Sequence, residues 1–153
     1  KDNIRYFLDF APKDAILAIA GGLHVDEAKK ILNANSRIIL LGDLDYVSLL
    51  SLYNKSSTFV HLAYLDHCPN VVVDAQAAGC NIVCSSTGGT HEVVNNGIMI
   101  LEDEWDMKPC DLYNPPSMNF KNIKTISSHL KQDKKSNIVK CSEKYYNVMR
   151  GIL

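Results

Sequence analysis

Apolar positions along this chain follow two different periods in turn. Residues 2–11 place Ile4, Phe7, Leu8 and Ala11 on one helical face, and Pro12 ends that helix. Residues 15–20 then form an unbroken apolar run closed by Gly21 and Gly22, the pattern of a strand covered on both faces in a parallel sheet. A short helix is expected over 25–33. Residues 37–41 (Arg-Ile-Ile-Leu-Leu) read as the next strand, closed by Gly42. Asp43 is then placed to cap a helix over 44–55 that turns Leu44, Val47, Leu50 and Leu52 or Tyr53 inward. Residues 58–63 and 81–85 are two further short apolar strands, and Ile138–Met149 has helical amphipathicity, extending to about residue 150.

Between those last two strands the local signals conflict. Val71, Val72 and Val73 are three β-branched residues in a row, which favours a strand. Pro69 and Asn70 before them suit a helix start, the alanines at 75, 77 and 78 favour helix, and Gly79 suits the position just past a helix end. The balance predicts a helix from Asn70. Alternation of strands and helices with short links predicts an α/β fold: one Rossmann-like, doubly wound parallel sheet with right-handed crossovers.

The remaining chain adds little to that frame. Residues 101–123 carry Glu102-Asp103-Glu104, the sole Trp and three prolines, and are expected to be an irregular surface excursion packed through Trp105 and Met107. Lys131–Lys135 reads as a solvated charged loop. With 16 basic and 17 acidic residues in 153, the net charge of -1 gives no global field for nucleic acid or an anionic membrane. No apolar run approaches the ~20 residues of a membrane helix. Five cysteines at 68, 80, 84, 110 and 141 have no C-x-x-C spacing, so free thiols in a reducing cytoplasm are expected. The five histidines do not cluster with them at zinc-ligand spacing, and no metal is expected. Lys1 opens directly into a helical pattern without an initiator Met. A single domain over 1–153, cut from a longer chain, is the expectation.

A helix that begins at Asn70, after a strand's carboxyl end, points unpaired N–H groups and the positive end of its dipole at the ligand crevice of such a sheet. That arrangement suits a phosphate. Asp66 lies in the preceding loop and Asp74 one turn into the helix, so two ionised carboxylates are placed to flank one ligand and to accept hydrogen bonds from hydroxyls. The plainer reading remains open at this point: Asp74 favours the helix dipole and Asp66 is a loop acid in water.

The residues themselves tilt the choice. Gly79 to Val94 (GCNIVCSSTGGTHEVV) resembles, without a gap, the GxPVVxSxxGGxxEVV stretch of the carboxyl-terminal domain of group-1, family 4-like glycosyltransferases, which have a two-domain GT-B architecture. Arg37–Ser57 resembles that family's RVxFLG…LYxxxD segment, and Pro69–Gly79 its PNVVxEAxAxG variant. The family's two glutamates appear here as Asp66 and Asp74, each one methylene shorter.

The resemblance implies a nucleoside-diphosphate sugar as donor. Asp74 is implied to accept from the ribose hydroxyls and Asp66 to sit near the transferred sugar. Backbone at Pro69, Asn70 and Val71 is implied at the diphosphate, Gly42 and Asp43 at the base, and Gly88 and Gly89 along the crevice. Lys1 falls where the family has a phosphate-neutralising lysine. His67 and Cys68 replace the usual loop residues, and Cys68, without an evident base, is not read as a nucleophile. Retention of configuration, no metal or cofactor and a separate amino-terminal acceptor domain are further implications, and peripheral membrane contact of the parent enzyme is compatible with them. The alternatives are a GT-B-type epimerase or phosphorylase-like protein, and a degenerate domain kept as an interaction module.

Overall fold

The computed structural model of the chain describes residues 1–22, 30, 31, 33, 35–67, 69–102 and 116–127. The helices expected over 138–150 and, for the most part, over 25–33 lie outside the described residues. So do Cys68, Trp105, Met107 and the charged loop at 131–135.

Helix α1 (Asp2–Phe10) leads into strand β1 (Leu17–Ala20) and then β2 (Ile38–Gly42). Helix α2 (Tyr46–Lys55) precedes β3 (Thr58–His61), α3 (Asn70–Ala77) and β4 (Asn81–Ser85). A short α4 (Thr90–Val93) is followed by β5 (Asn96–Ile100) and β6 (Ile123–Ser127). The architecture is mixed α/β with parallel pairs β1–β2, β3–β4 and β4–β5, as a Rossmann-like fold requires.

Two features depart from the single parallel sheet expected. Among the described residues the strands form two hydrogen-bonded sheets, β1–β2 and β3–β4–β5–β6. The last pair is antiparallel, with Ile100 opposite Ile123 and Asn96 opposite Ser127. Strands β5 and β6 were not expected, and β6 begins at the end of the supposed irregular stretch 101–123. Gly97 interrupts the first, and in the second Lys124 and Thr125 separate Ile123 from Ile126, so neither stands out as a run.

The core lies on the larger sheet. Ile82, Cys84 and Ile100 are fully buried, and so are Val72 and Ala75 of α3. Helix α3 therefore settles the conflict at Val71–Val73. Val72 and Ala75, three residues apart, face inward, while Val71 and Val73 are 37% and 45% exposed. Its end is a Schellman turn: Gly79 has φ of +97°, its N–H donates to Gln76 O, and Cys80 N–H donates to Ala75 O at 3.0 Å.

Other expectations about faces need correction. β1 is not covered on both sides. Its residues alternate between half-buried and exposed, and of β2 only Ile38 is buried, because these two strands make a narrow sheet of their own. In α1 the buried residues are Asp2, Tyr6 and Phe7, with Leu8 41% exposed. Tyr6 and Phe10 gather with Phe120 at centroid distances of 5.0–5.9 Å, which turns Leu8 outward. Asp2 is tied to Arg5 at 2.7 Å, and Arg5 lies over the Phe120 ring. The cap of α2 is Asp45 and not Asp43: its Oδ1 accepts from Ser48 N–H at 2.8 Å and its Oδ2 from the Ser48 hydroxyl at 3.0 Å. Leu49, Leu50 and Tyr53 then pack against the core, and Val47, ~200° around from Leu49 at ~100° per residue, is exposed.

Cys80 and Cys84 are free and buried. The Cys80 thiol donates to Tyr53 O and Ser56 O. Burial pushes the Cys84 thiol from its ordinary value of 9.0 up to about 11. The folded chain then holds a proton that the unfolded chain has released between those values. Its contribution to stability is complete below about pH 9 and falls, as pH rises to 11, by ~1.4 kcal/mol per pH unit. Urea unfolding of the native chain and Cys84→Ala should therefore show a gap that narrows across that window. A gap independent of pH would disprove this assignment.

Candidate functional site

Among the described residues β1 pairs with β2 in one sheet, and β3 with β4, β5 and β6 in the other. In open α/β folds ligands bind in a crevice outside the carboxyl ends of the strands. A cleft of about 940 Å³ lies between the two sheets, bounded by α1, α2, β1 and β3. Along its length it is apolar, with Phe7, Leu17, Phe59 and Val83. At the strand ends its lining turns polar, with Gly21, Asp43 and His61, and Lys1 and Val71 also border it.

Each wall of the crevice is set by its local sequence. β2 stops because Gly42 has φ of +65°, and the Gly42 carbonyl accepts from Gly21 N–H at 2.8 Å, which ties the two strand ends together. Asp43, directly after, turns its carboxylate to the Gly21–Gly22 bend: a Cβ on Gly22 would lie 3.6 Å from its Oδ1. On the other side, β3 ends at His61, and the chain loops through Asp66 and His67 to the half turn at Pro69 that starts α3. The Pro69 carbonyl accepts from Val72 N–H and Val73 N–H at 3.0 and 3.4 Å. The Asn70 and Val71 amides, one turn earlier, have no acceptor within the helix. Asp74 sits a turn into the helix, close enough to Tyr53 that its charge, after burial, helps raise the Tyr53 phenol above its ordinary value.

Gly88 and Gly89, expected along the crevice, are not among the residues that line the cleft. They are seated directly on the Asp66–His67 backbone. A Cβ on Gly88 would lie 2.3 Å from Asp66 O, one on Gly89 2.1 Å from His67 O, and Gly89 N–H donates to Asp66 O at 2.9 Å. The loop after β3 and the loop after β4 are thereby one packed unit. The structure thus brings Asp66, His67, Gly88 and Gly89 into contact, and places Lys1, Asp43 and Val71 on the cleft. Cys68 lies outside the described residues.

Sequence reasoning missed two groups at this edge. Ser85, fully buried, donates to Ala63 O at 3.3 Å and meets the Thr87 hydroxyl. Thr87 in turn donates to Glu102, whose own N–H donates to Ser86 Oγ at 3.0 Å. Glu102 had been read as part of an exposed acidic run. It is half-buried because β5 delivers it beside the end of β4. The second is His61, bonded to Asp66 at 2.9 Å. A histidine closing a strand five residues before an acid was the signal available for it. Among the described residues no three His, Cys, Asp or Glu side chains gather as a metal site, and no helix is long and apolar enough to cross a membrane.

Parallel strand pairs with intervening helices, a cleft between β1 and β3 and a glycine-seated loop leading into a helix define a Rossmann-like α/β domain. Residues 3–108 match the family model described as glycosyl transferases group 1. The chain belongs to the group 1 glycosyltransferases, and its chemistry is glycosyl transfer. Comparison with curated proteins and with solved structures finds no match.

Proposed function

We propose that this domain binds the nucleotide part of a nucleoside-diphosphate sugar, in an enzyme that transfers the sugar with retention of configuration. The observation that carries the reading is the seating of the Asp66–His67 loop on Gly88 and Gly89 beside the start of α3. On this reading a diphosphate, a ribose and a sugar take distinct places around that loop. The diphosphate meets the Asn70 and Val71 amides and the positive helix end, aided by Lys1 at the cleft. The base lies at Gly42 and Asp43. Asp74 accepts from the ribose hydroxyls, and Asp66 lies at the sugar.

Charge developing on the leaving diphosphate is met by fixed N–H dipoles and basic side chains, so the reading requires no metal or cofactor. The acceptor and the remaining catalytic groups come from a separate amino-terminal domain. The donor is soluble, so the reading is compatible with the cytoplasm and with peripheral attachment of an intact enzyme to a membrane.

Titration of the 15N-labelled chain with UDP-glucose and GDP-mannose tests it. Amide shifts are expected at 42–43, 66–74 and 88–89, and shifts scattered elsewhere would remove the assignment. Asp74→Asn is expected to weaken binding of whichever nucleotide is held by ~1–3 kcal/mol, about five- to 150-fold, since a charged acceptor is replaced by a neutral amide. Unchanged affinity would deny Asp74 the ribose.

A further inference from the structure

Asp66 is held in place by an arrangement that the binding assignments above leave unused. β3 ends at His61, and within five residues the chain turns back so that Asp66 Oδ2 lies 2.9 Å from His61 Nε2. That return passes through Leu65, whose φ of +54° is the one left-handed conformation of a non-glycine residue among those described. A leucine meets steric resistance there, because its Cβ crowds the following carbonyl. Such a conformation persists only where neighbouring contacts determine it, and it clusters at functional sites.

Those contacts are identifiable. On one side of Leu65 the Asp66 carboxylate is bonded to His61. On the other face of the loop the Asp66 carbonyl accepts from Gly89 N–H, and Gly88 leaves no room for the loop to retreat. His61 itself is fixed. Its ring stacks on Phe59 with centroids 6.1 Å apart and planes at 17°, and Phe59 meets the Tyr53 ring edge-on at 5.3 Å. The His61 side chain is only 15% exposed, against 31% for Asp66. The chain Tyr53–Phe59–His61–Asp66 thus connects the core to the carboxylate at the crevice.

We propose that His61 is a positioning residue: its Nε2–H holds the Asp66 carboxylate, and thereby the left-handed Leu65 turn, in the orientation that meets the donor's sugar. For what Asp66 contacts, the inference rests on the donor reading above. It adds that the sugar end of the site depends on a histidine that acts through Asp66. Loss of His61 should therefore be felt by nucleotide sugars and not by free nucleoside diphosphates.

The test compares the native chain with His61→Ala, His61→Gln, Asp66→Asn and the His61→Ala/Asp66→Asn double variant, each titrated with UDP, UDP-glucose, GDP and GDP-mannose. His61→Ala is expected to weaken the bound nucleotide sugar about tenfold while the free diphosphate stays within twofold. Glutamine, whose amide reaches the position of Nε2, should recover most of the loss, and the double variant should bind no worse than Asp66→Asn alone. Equal weakening of sugar and diphosphate, no weakening, or full additivity in the double variant would overturn the positioning role. If the native chain binds none of the four, it is the donor reading that fails. The pairing is then judged without ligand: the Leu65 amide–α-proton coupling and the Gly88 and Gly89 amide shifts should change in His61→Ala and return in His61→Gln, and unaltered values reject it. Should His61→Ala not fold, Asp66→Asn breaks the same pair from the other side and is read by the same signals.

Discussion

Gly97→Ala is expected to lose the native fold. Gly97 stands in β5 between Ile82 of β4 and Ile126 of β6. A Cβ there would lie 1.9 Å from the Ile82 carbonyl oxygen and 2.8 Å from its carbon. Both atoms are backbone, so no rotamer change makes room, and the β4–β5 ladder itself must shift. β5 is an inner strand of the four-stranded sheet, and displacing it also detaches β6 and uncovers Ile82 and Ile100, both fully buried. The cost is expected to exceed ~3 kcal/mol, the upper end of what overpacking of a core produces and a large share of a small domain's stability. Urea unfolding monitored by circular dichroism measures it. Gly79→Ala provides the comparison: its φ of +97° makes it unfavourable, but a Cβ there meets nothing within 4 Å, so a loss of only about 1 kcal/mol is expected. Equal losses for the two would show that backbone conformation, and not the collision with Ile82, governs Gly97.

Gly89→Ala is expected to damage ligand binding as well as stability. Gly89 has φ of -89° and ψ of -3°, which any residue adopts, so glycine is required by the close approach alone. The added Cβ would fall 2.1 Å from the His67 carbonyl and force the Asp66–His67 loop away from the loop after β4. The hydrogen bond from Gly89 N–H to Asp66 O is strained by the same movement. Stability should fall by about 1–3 kcal/mol. Nucleotide-sugar affinity should fall at least about tenfold beyond what the fraction of folded protein explains, since a displacement of ~1 Å suffices to spoil a positioned site. Calorimetric titration with UDP-glucose and GDP-mannose at a temperature where the variant is folded separates the two effects. Wild-type affinity in a folded variant would show that the seating of this loop is not used by the ligand.

The contrast between these two glycines shows where sequence reasoning reaches its limit. Gly79 was readable: it follows an alanine-rich segment that starts at Pro69-Asn70, and a Schellman turn needs a residue in just that place. The same local signals were enough to make Val71–Val73 helical against their strand preference. Gly88 and Gly89 were legible only as members of a family-like motif, because the atoms that exclude a side chain belong to residues more than 20 positions earlier. His61 was legible only as a member of the strand at 58–63 and its partner was not legible, since the return of Asp66 depends on the left-handed Leu65.

Misjudged faces have the same origin. Period gives the direction of a side chain but not what stands opposite it. Leu8 and Val47 fit helical stripes, yet Phe120 and the Asp45 cap decide which side of each helix turns inward. Glu102 lay in an acidic run, and only the pairing of β5 with β4 brings it to Thr87.

By itself, then, the sequence determined the strand–helix alternation, the helix at Asn70 with both of its ends, and the loops that carry the candidate site. These depend on interactions within a few residues of one another, which composition and spacing encode directly. Tertiary structure alone decided the division into two sheets, the antiparallel β6, the seating of the Asp66–His67 loop on Gly88 and Gly89, and the bond between His61 and Asp66. Each of those joins parts of the chain through strand order or a backbone turn, and no local pattern of apolar and polar residues specifies either.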